Sequence, residues 1–442
     1  MLHIGFILPS SDYLFDPFRG DPHTHYQILT VLEYAFGDQI RLSLIDLRGI
    51  QRQFAQYRLK ECDLYLHSVY TLDYSEQQSI VHTLRERYPR AKHIAGGPHA
   101  TVFSEECLKL FDALIIGDGE DAVIEAVSDI LENKELKLVY KQQRLVDINL
   151  YPYPLRKWLP EATVARKGLL NLRRTPGLDQ LLSTTVIFSR GCPYSCAFCA
   201  MPQIKKFNAG VRYRAPYRIE EEIEYLKRVY HIQAISLLDE IGFPAKREEA
   251  IAHLEAIGRT DIKWRAQCRV DSITPEIAEL LKQSGCVTMC LGVESVSQLS
   301  LDLIHKKISV PSARQSIRML KEKGIECRVY MILGLPGEPK DIVEQTWEFI
   351  KETDPELVYL SLLTLRPGTE MYTNFQKYGI KSVSTNWDNT MHLHGRYEFE
   401  RPSLTFEYQD NPDWGTPLSP ETIVNNYMEL QSRIKEGGYG PL

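Results

Sequence analysis

Short apolar runs alternate with longer amphipathic segments twice along this 442-residue chain. The first series has strand-like runs at 3–8, 41–47, 63–69, 92–97 and 112–119. Helical periodicity separates them, as in the segment where Ile80, Val81 and Leu84 share one face. Strands that alternate with helices in this way predict an α/β fold with a doubly wound, Rossmann-like parallel sheet.

The second series begins near Leu181 and has strand-like runs at 184–190, 233–240, 263–271, 287–295, 326–338 and 357–368. The helix after its third run carries a start signal, because Thr274 suits an N-cap and Pro275 suits the first helical turn. Six βα units in succession predict a partial barrel of the TIM type, with its chemistry at the carboxyl ends of the strands.

These patterns predict four segments. Residues 1–140 form the Rossmann-like domain and residues 141–180 a linker, since 148–161 contains three prolines and has no helical period. Residues 181–385 form the partial barrel, and residues 386–442 form a C-terminal extension that closes one end of it.

Composition excludes several classes of protein. The net charge of -6 argues against nucleic acid as the main partner, since phosphate binding favours a basic surface. No apolar stretch is long enough for a membrane span, and the first residues do not resemble a signal peptide. Nine cysteines, an odd number, fit a reducing compartment, so we expect a cytoplasmic location.

Three cysteines lie close together in the loop after the first strand of the second series: Cys192, Cys196 and Cys199, with spacing C-x3-C-x2-C. Thiolates suit zinc or iron–sulfur clusters. A structural zinc site normally needs four ligands, whereas three cysteines on a four-iron cluster leave one iron open for chemistry. The alternatives are a zinc loop completed by a distant ligand, or a chance cluster. Cys286 and Cys290 repeat the C-x3-C spacing within a predicted strand, where packing is the simpler explanation.

The triad and its position resemble the signature of the radical S-adenosylmethionine (SAM) enzymes, and the resemblance extends over about 184–372. It implies that Cys192, Cys196 and Cys199 are the catalytic centre and hold a [4Fe–4S] cluster whose open iron binds SAM. Reductive cleavage of SAM would then give a 5'-deoxyadenosyl radical that abstracts hydrogen from the substrate.

The same resemblance implies the SAM contacts, which lie at strand ends. Phe198 is expected near the adenine, Asp239 and Glu240 near the amino group, and Glu294 and Ser295 near the ribose. Backbone around Gly334 and Gly337 would support the adenine. Arg269 would pair with the SAM carboxylate through its planar guanidinium, although a salt bridge to Asp271 is the alternative. Carboxylates at strand ends also commonly serve as helix caps.

The first domain resembles the cobalamin-binding domain of the B12-dependent radical SAM subfamily, which contains class B methyltransferases. Its DPHTHY, SVY and GG segments follow the order D-x-H-x-x-G, S-x-L, G-G, with Tyr26 and Tyr70 as departures. The resemblance implies that His23 is the lower cobalt ligand, with Asp21 behind it. Alternatively, His23 and His25 simply begin the first helix. The remaining expected cobalamin contacts are Ser68, Thr71, Gly96, Gly97, His99, Gly117, Gly119 and Glu120.

Two other assignments for this domain have less support. A second cluster of the methylthiotransferase kind needs three cysteines, and the domain has only Cys62 and Cys107. A Rossmann nucleotide site lacks its G-x-G-x-x-G motif after the first strand.

With both cofactors, the resemblance implies C-methylation of an unactivated carbon through methylcobalamin. The alternatives are radical cyclisation, rearrangement or oxidation with the same cofactors, or a non-catalytic cobalamin and iron–sulfur sensing module. We expect a small-molecule substrate and an electron donor of the flavodoxin or ferredoxin type. The sequence identifies neither of them.

Overall fold

The computed structural model describes residues 1–440 except 13, 15, 19, 143–144, 202–209, 386–401 and 411. The chain divides into two compact units, with the division between Val164 and Ala165. This division lies inside the segment 141–180 that the sequence predicts as a linker. Most of the first half of the predicted C-terminal extension, 386–401, lies outside the described residues.

The first unit is built on a parallel sheet with strand order β2-β1-β3-β4-β5-β6. Its strands are β1 (Leu2–Leu8), β2 (Ile40–Asp46), β3 (Leu64–Ser68), β4 (Lys92–Gly96), β5 (Ala113–Ile116) and β6 (Val139–Lys141). Its helices are α1 (His23–Phe36), α2 (Arg52–Ala55), α3 (Tyr74–Arg87), α4 (Pro98–Val102), α5 (Ser104–Cys107), α6 (Glu120–Leu131) and α7 (Glu161–Val164). The prediction of a doubly wound parallel sheet is confirmed.

Helices cover both faces of this sheet. Leu29 of α1 and Val123 of α6 belong to one apolar cluster, and Ile80 and Leu84 of α3 belong to another. The strand order reverses between β1 and β3, because β2 lies on one side of β1 and all later strands lie on the other. In open α/β sheets, ligands bind beyond the carboxyl ends of the strands at this reversal.

The second unit contains an open parallel sheet with strand order β14-β13-β12-β11-β10-β7. Its strands are β7 (Ser183–Val186), β10 (Ala234–Leu237), β11 (Lys263–Arg269), β12 (Cys286–Glu294), β13 (Glu326–Leu333) and β14 (Leu357–Leu362). These are the six predicted strands, and the partial barrel is confirmed as a half-barrel, since β7 and β14 are its two edges. Two short antiparallel pairs accompany it, β8 (Ser189–Arg190) with β9 (Arg212–Tyr213) and β15 (Ile380–Val383) with β16 (Phe406–Tyr408).

The helices of the second unit are α8 (Pro216–Tyr230), α9 (Arg247–Arg259), α10 (Pro275–Gln283), α11 (Gln298–Leu303), α12 (Val310–Glu322), α13 (Ile342–Thr353), α14 (Glu370–Thr373) and α15 (Pro420–Glu436). Helix α10 begins as predicted, because the Thr274 hydroxyl accepts a hydrogen bond from the Ile277 N–H at 3.2 Å. Short 3-10 helices occupy Gly37–Gln39, Gln56–Arg58, Thr71–Asp73, Pro176–Gln180, Val270–Ser272 and Phe375–Tyr378. Among the described residues, none of the helices has the length and apolar character that crossing a membrane requires.

Candidate active site

The cysteine loop follows β7 and is held at its start by two acidic side chains from the end of β10. The Asp239 carboxylate accepts a hydrogen bond from the Phe188 N–H, at 3.1 and 3.2 Å from its two oxygens. Glu240 accepts one from the Gly191 N–H. Burial raises the pKa of Asp239 to about 7 and also raises the pKa of Glu240. Both predicted SAM contacts therefore position the loop that carries the cysteines.

The second part of the loop is held by the backbone of one residue, Ala197. The Ala197 N–H donates to the Ile304 carbonyl just after α11 at 2.9 Å, and the Ala197 carbonyl accepts from the Met371 N–H in α14 at 3.0 Å. The Cys199 N–H closes a turn onto the Cys196 carbonyl at 3.1 Å. These bonds fix Cys196 and Cys199 at the carboxyl end of the half-barrel.

Two arginines lie beside the cysteine thiols. Nη1 of Arg269, at the end of β11, donates to Sγ of buried Cys196 at 3.7 Å. Burial raises the pKa of Cys199 to about 11, Cys196 and Cys192 act in the same direction, and the charge of Arg366 opposes them. Cations beside cysteine favour the thiolate, which is the form that binds iron.

The number of thiols suits a four-iron cluster. Three cysteines can bind three of its irons and leave the fourth open, whereas a structural zinc site normally needs four ligands. Arg269 and Arg366 beside these thiols favour the thiolate form that binds iron.

Arg269 connects the cluster loop to a chain of buried charges. Its Nε and Nη2 donate to the two carboxylate oxygens of Asp271 at 2.9 Å each, and Nη2 also donates to the Lys306 carbonyl at 2.6 Å. Its guanidinium lies 3.8 Å from the centre of the Tyr194 ring. The salt bridge to Asp271 is thus present, and contact with the SAM carboxylate stays a prediction.

Glu294 and Lys306 form a buried ion pair at the end of β12, with 2.6 Å between Oε1 and Nζ. Glu294 has a φ of 67°, a left-handed conformation that is unfavourable for a residue with a side chain. A Cβ at Gly292 would lie 2.6 Å from the Glu294 Oε1 and 2.8 Å from the Lys306 Nζ, so a side chain at this position would displace the ion pair. Ser295, the second expected ribose contact, accepts a hydrogen bond from the Ser297 N–H at 3.1 Å. Strained, over-determined geometry of this kind is typical of functional sites.

The turn after β13 is shaped by Glu338, whose carboxylate accepts the N–H groups of Gly334 and Leu335 at 2.9 and 3.1 Å. Burial raises the pKa of Glu338 to about 8. Tyr408 of β16 donates its hydroxyl to the Gly334 carbonyl at 2.9 Å. Gly334 and Gly337 have positive φ values of 88° and 76°. The backbone expected to support the adenine is therefore held by a carboxylate and a phenol.

In the first unit, the expected cobalamin contacts Ser68, Thr71, Gly97 and His99 lie together after β3 and β4. The Thr71 hydroxyl is 3.2 Å from Nδ1 of His99, and Nε2 of His99 is buried without a hydrogen-bond partner among the described residues. A Cβ at Gly97 would lie 2.9 Å from the Val69 carbonyl oxygen, so glycine is required there for internal packing alone. The unpartnered His99 nitrogen fits a ligand that supplies a hydrogen bond.

The other expected contacts follow β4 and β5. Gly96 and Gly119 lie close to the side chains of Ile115 and Ile28, while Gly117 has a φ of 90°. Glu120, the first residue of α6, is buried. Glycine at these turns is thus explained at least partly by packing, so their contact with cobalamin stays a prediction.

His23 and His25 differ although both lie in the first turn of α1. Nε2 of His25 hydrogen-bonds the Ile7 carbonyl at 2.9 Å and its ring packs on Phe6, so this side chain serves the fold. Burial, with help from Arg156, lowers the pKa of His23 to about 4, while Asp21 acts to raise it. His23 is consequently neutral at physiological pH, the state in which imidazole binds metals. His23 and Asp21 fit the predicted role at cobalt.

Comparison with known families decides the assignment. Residues 186–350 match the radical SAM superfamily, and residues 23–127 match the B12-binding domain. The chain therefore contains a radical SAM domain and a B12-binding domain. Its radical SAM domain implies a [4Fe–4S] cluster and SAM, and its B12-binding domain implies cobalamin.

Similar proteins include both methyltransferases and cyclases. An uncharacterized methyltransferase of Pyrococcus horikoshii is 30% identical over 308 residues, which cover 66% of this chain and 65% of the relative. The anaerobic magnesium-protoporphyrin IX monomethyl ester cyclase of Rubrivivax gelatinosus is 26% identical over 366 residues, 78% of this chain and 61% of that protein. This chain therefore spans somewhat less than two thirds of the length of these relatives.

The fold of this chain is also that of a solved structure. The radical SAM methyltransferase TsrM of Kitasatospora setae superimposes with a TM-score of 0.65 at 17% identity, covering 89% of this chain and 82% of TsrM. At this identity the likeness supports the arrangement of strands and helices, and no more.

Sequence reasoning missed two charged residues of the second unit, Lys306 and Arg366. Both residues lie outside the motifs that the sequence shows, since Lys306 follows α11 and Arg366 follows β14. A search for cations just after the strand ends would have found Arg366, which comes four residues after β14. Phe198 is half-buried between the two cysteines that it separates.

Proposed function

We propose that this protein is a cobalamin-dependent radical SAM enzyme that methylates an unactivated carbon of a small-molecule substrate. The observation that carries the proposal is the presence in one chain of a B12-binding domain and a three-cysteine loop with cations beside its thiols. When bound, the cluster supplies the electron that cleaves SAM to a radical, and cobalamin supplies a methyl carrier.

The protein's own contribution is to hold these groups in place. Asp239 and Glu240 fix the entrance of the cysteine loop, and Arg269 and Arg366 offset negative charge beside Cys196 and Cys199. The Glu294 carboxylate, held by Lys306, would meet the ribose, and the Gly334 turn would meet the adenine. On the cobalamin side, His23 would bind cobalt as a neutral imidazole.

The combination of domains favours carbon as the methylated atom. Nitrogen, oxygen and sulfur nucleophiles attack the methyl group of SAM directly and need no radical. A carbon without nucleophilic character must first lose a hydrogen atom, which requires a radical domain in addition to a methyl carrier. The methyltransferase relative at 30% identity supports methylation as the outcome.

The cyclase relative favours a second candidate. A substrate radical that closes a ring would need the same cysteine loop but no methyl transfer, and this relative matches 78% of the chain. In both cases a small flavodoxin- or ferredoxin-type protein would deliver the electron.

Counting products separates the two functions. The full chain is reconstituted anaerobically with iron, sulfide and cobalamin, then given SAM and a reductant with and without a protein-free extract of small molecules. Methylation predicts S-adenosylhomocysteine together with 5'-deoxyadenosine, both increased by the extract. Cyclisation predicts 5'-deoxyadenosine alone. Absence of both products, equal to a Cys199→Ser control, would contradict the proposed chemistry.

A further inference from the structure

The two faces of the half-barrel sheet carry different side chains. Sγ of Cys327 on β13 lies 3.7 Å from the Ile317 carbonyl of α12, and Nε1 of Trp264 on β11 donates to the Ser284 carbonyl after α10 at 2.8 Å. These side chains point to the helical layer. Successive residues of a strand alternate in direction, so Arg328 and Arg265 point to the opposite, concave face.

Arg265 has no anionic partner on this concave face. Its Nε donates to the Ser236 hydroxyl at 2.7 Å, and the other groups that act on it are Arg328, Cys290, Tyr330 and Tyr359. In the described part of the chain, no carboxylate forms an ion pair with Arg265. Burial and the like charge of Arg328 lower the pKa of Arg265.

Arg328 is the second cation in this position. It is only 1% exposed, and its Nη2 donates to the carbonyls of Leu170 and Asn171. Its Nη1 is buried and has no partner among the described residues. Buried charges without a counter-ion are unfavourable, so two guanidinium groups that repel each other and form no ion pair within the described ranges favour an anion that binds between them.

The position of the two cations indicates how an anion would enter. The amino end of the sheet is covered, because Glu326 at the start of β13 accepts the N–H groups of Arg173 and Arg174 at 2.9 and 2.7 Å. Arg265 is half-buried and precedes Arg269 by four residues on β11. At about 3.3 Å per residue, it lies about 13 Å below the level of the cysteine loop. A ligand would therefore reach it from the carboxyl end.

We propose that the concave face of the half-barrel binds an anionic group of the substrate, a carboxylate or a phosphate, through Arg265 with Arg328 behind it. Guanidinium groups bind both anions in a bidentate manner. Tyr330 and Tyr359, whose rings stack at 5.4 Å, provide an aromatic wall beside the anion. The inference rests on the proposed function in one respect: it assumes that the ligand of this face is the molecule that the radical attacks.

Thermal unfolding of the full chain without cofactors tests this site. The probes are inorganic phosphate and succinate, each compared with potassium chloride at the same ionic strength. We expect a saturable rise in the unfolding temperature with at least one probe, because a ligand bound only to the folded state stabilises it. Saturation by phosphate alone would indicate a phosphate ester as substrate, and saturation by succinate alone a carboxylic acid.

The variant Arg265→Met should weaken the apparent affinity at least about tenfold, because truncating a buried ionic partner is costly. Arg318→Met removes an exposed arginine of α12 and should leave the affinity unchanged. Phosphate also stabilises proteins by exclusion from their surface. That effect is common to wild type and both variants, and the comparison removes it.

No saturable shift in the wild type, or an equal shift in folded Arg265→Met, would overturn the inference. If circular dichroism finds Arg265→Met unfolded, Arg265→Lys replaces it, with weaker binding expected because lysine lacks the planar fork. Unaltered binding in Arg265→Lys would then overturn the inference. Since the measurement needs no SAM cleavage, its failure beside normal SAM cleavage contradicts only this site.

Discussion

The two units differ in the polar groups that lie near their expected cofactor sites. At the carboxyl end of the half-barrel, cations lie beside the cysteines and the expected SAM contacts: Arg269 beside Cys196, the exposed Arg366 near Cys199, and Lys306 paired with Glu294. In the N-terminal sheet, His67 and His93 are buried, neutral imidazoles. This difference matches the ligands, since thiolates and the carboxylate of SAM carry negative charge.

Two imidazoles of the first unit, those of His67 and His93, lie within hydrogen-bond distance of each other. Nε2 of His67 lies 3.1 Å from Nδ1 of His93, and Nδ1 of His67 lies 2.8 Å from Oε1 of Gln77. Burial lowers the pKa of both histidines to about 3. A site with neutral surroundings recognises its ligand by shape and hydrogen bonds, so the two sites should respond differently to mutation and to pH.

The largest effect should come from the cysteine loop. Cys196→Ser removes one cluster ligand, so we expect loss of iron and of SAM cleavage to background, with cobalamin binding retained. Iron analysis and a cobalamin titration measure the two sites in the same preparation. Parallel loss of cobalamin binding would contradict the independence of the two sites.

His23→Ala tests the corresponding ligand in the first unit. Loss of a metal ligand should weaken cobalamin binding at least about tenfold and remove the protein nitrogen from the EPR spectrum of Co(II). His25→Ala is the matched control, because its nitrogen bonds the Ile7 carbonyl, and it should lower stability while keeping the spectrum. An unchanged spectrum in His23→Ala would refute the ligand assignment.

The histidine pair of β3 and β4 and the buried carboxyl groups of Glu338 and Asp239 should have opposite pH dependence. His67 and His93 are neutral in the folded state, so their contribution is complete above pH 6.5 and is lost as pH falls toward about 3. Glu338 and Asp239 have raised pKa values of about 8 and about 7, so their protonated forms stabilise the fold in acid, and that contribution is lost as pH rises.

Hydrogen exchange of the cofactor-free protein, corrected for intrinsic rates, measures this difference. Protection of β3 and β4 should fall at least about tenfold from about pH 7 to about pH 5. Protection of the β13 amides should decrease when the pH rises from about 5 to about 8. The same pH profile in both units would contradict the electrostatic contrast.

A smaller effect is expected at Arg269. Replacing it in Arg269→Met removes the donor to the Cys196 sulfur, which favours the more negative, reduced cluster. The midpoint potential should fall by on the order of 50 mV, measured by spectroelectrochemistry with iron content unchanged. Arg318→Met, on the exposed face of α12, should leave the potential as it is. An equal potential in all three proteins would mean that Arg269 only positions the loop.

Local patterns in the sequence predicted the elements more fully than the site. The buried parallel strands are continuous apolar runs, so both series were found, whereas β6 was missed because its three residues are mostly exposed. The cysteine spacing is local, so it could be recognised directly in the sequence. The role of Asp239 could not be recognised in this way, because its partner Phe188 lies 51 residues away and is brought near only by pairing of β7 with β10. Likewise, the Arg265 environment depends on strands far apart in sequence.

Electron paramagnetic resonance of the anaerobically reduced full chain, with and without SAM, tests the central claim most directly. A cluster held by Cys192, Cys196 and Cys199 has one open iron, so the account predicts a [4Fe–4S] signal whose g values shift when SAM is added. A protein with no such signal, or with a signal that SAM leaves unchanged, would contradict it.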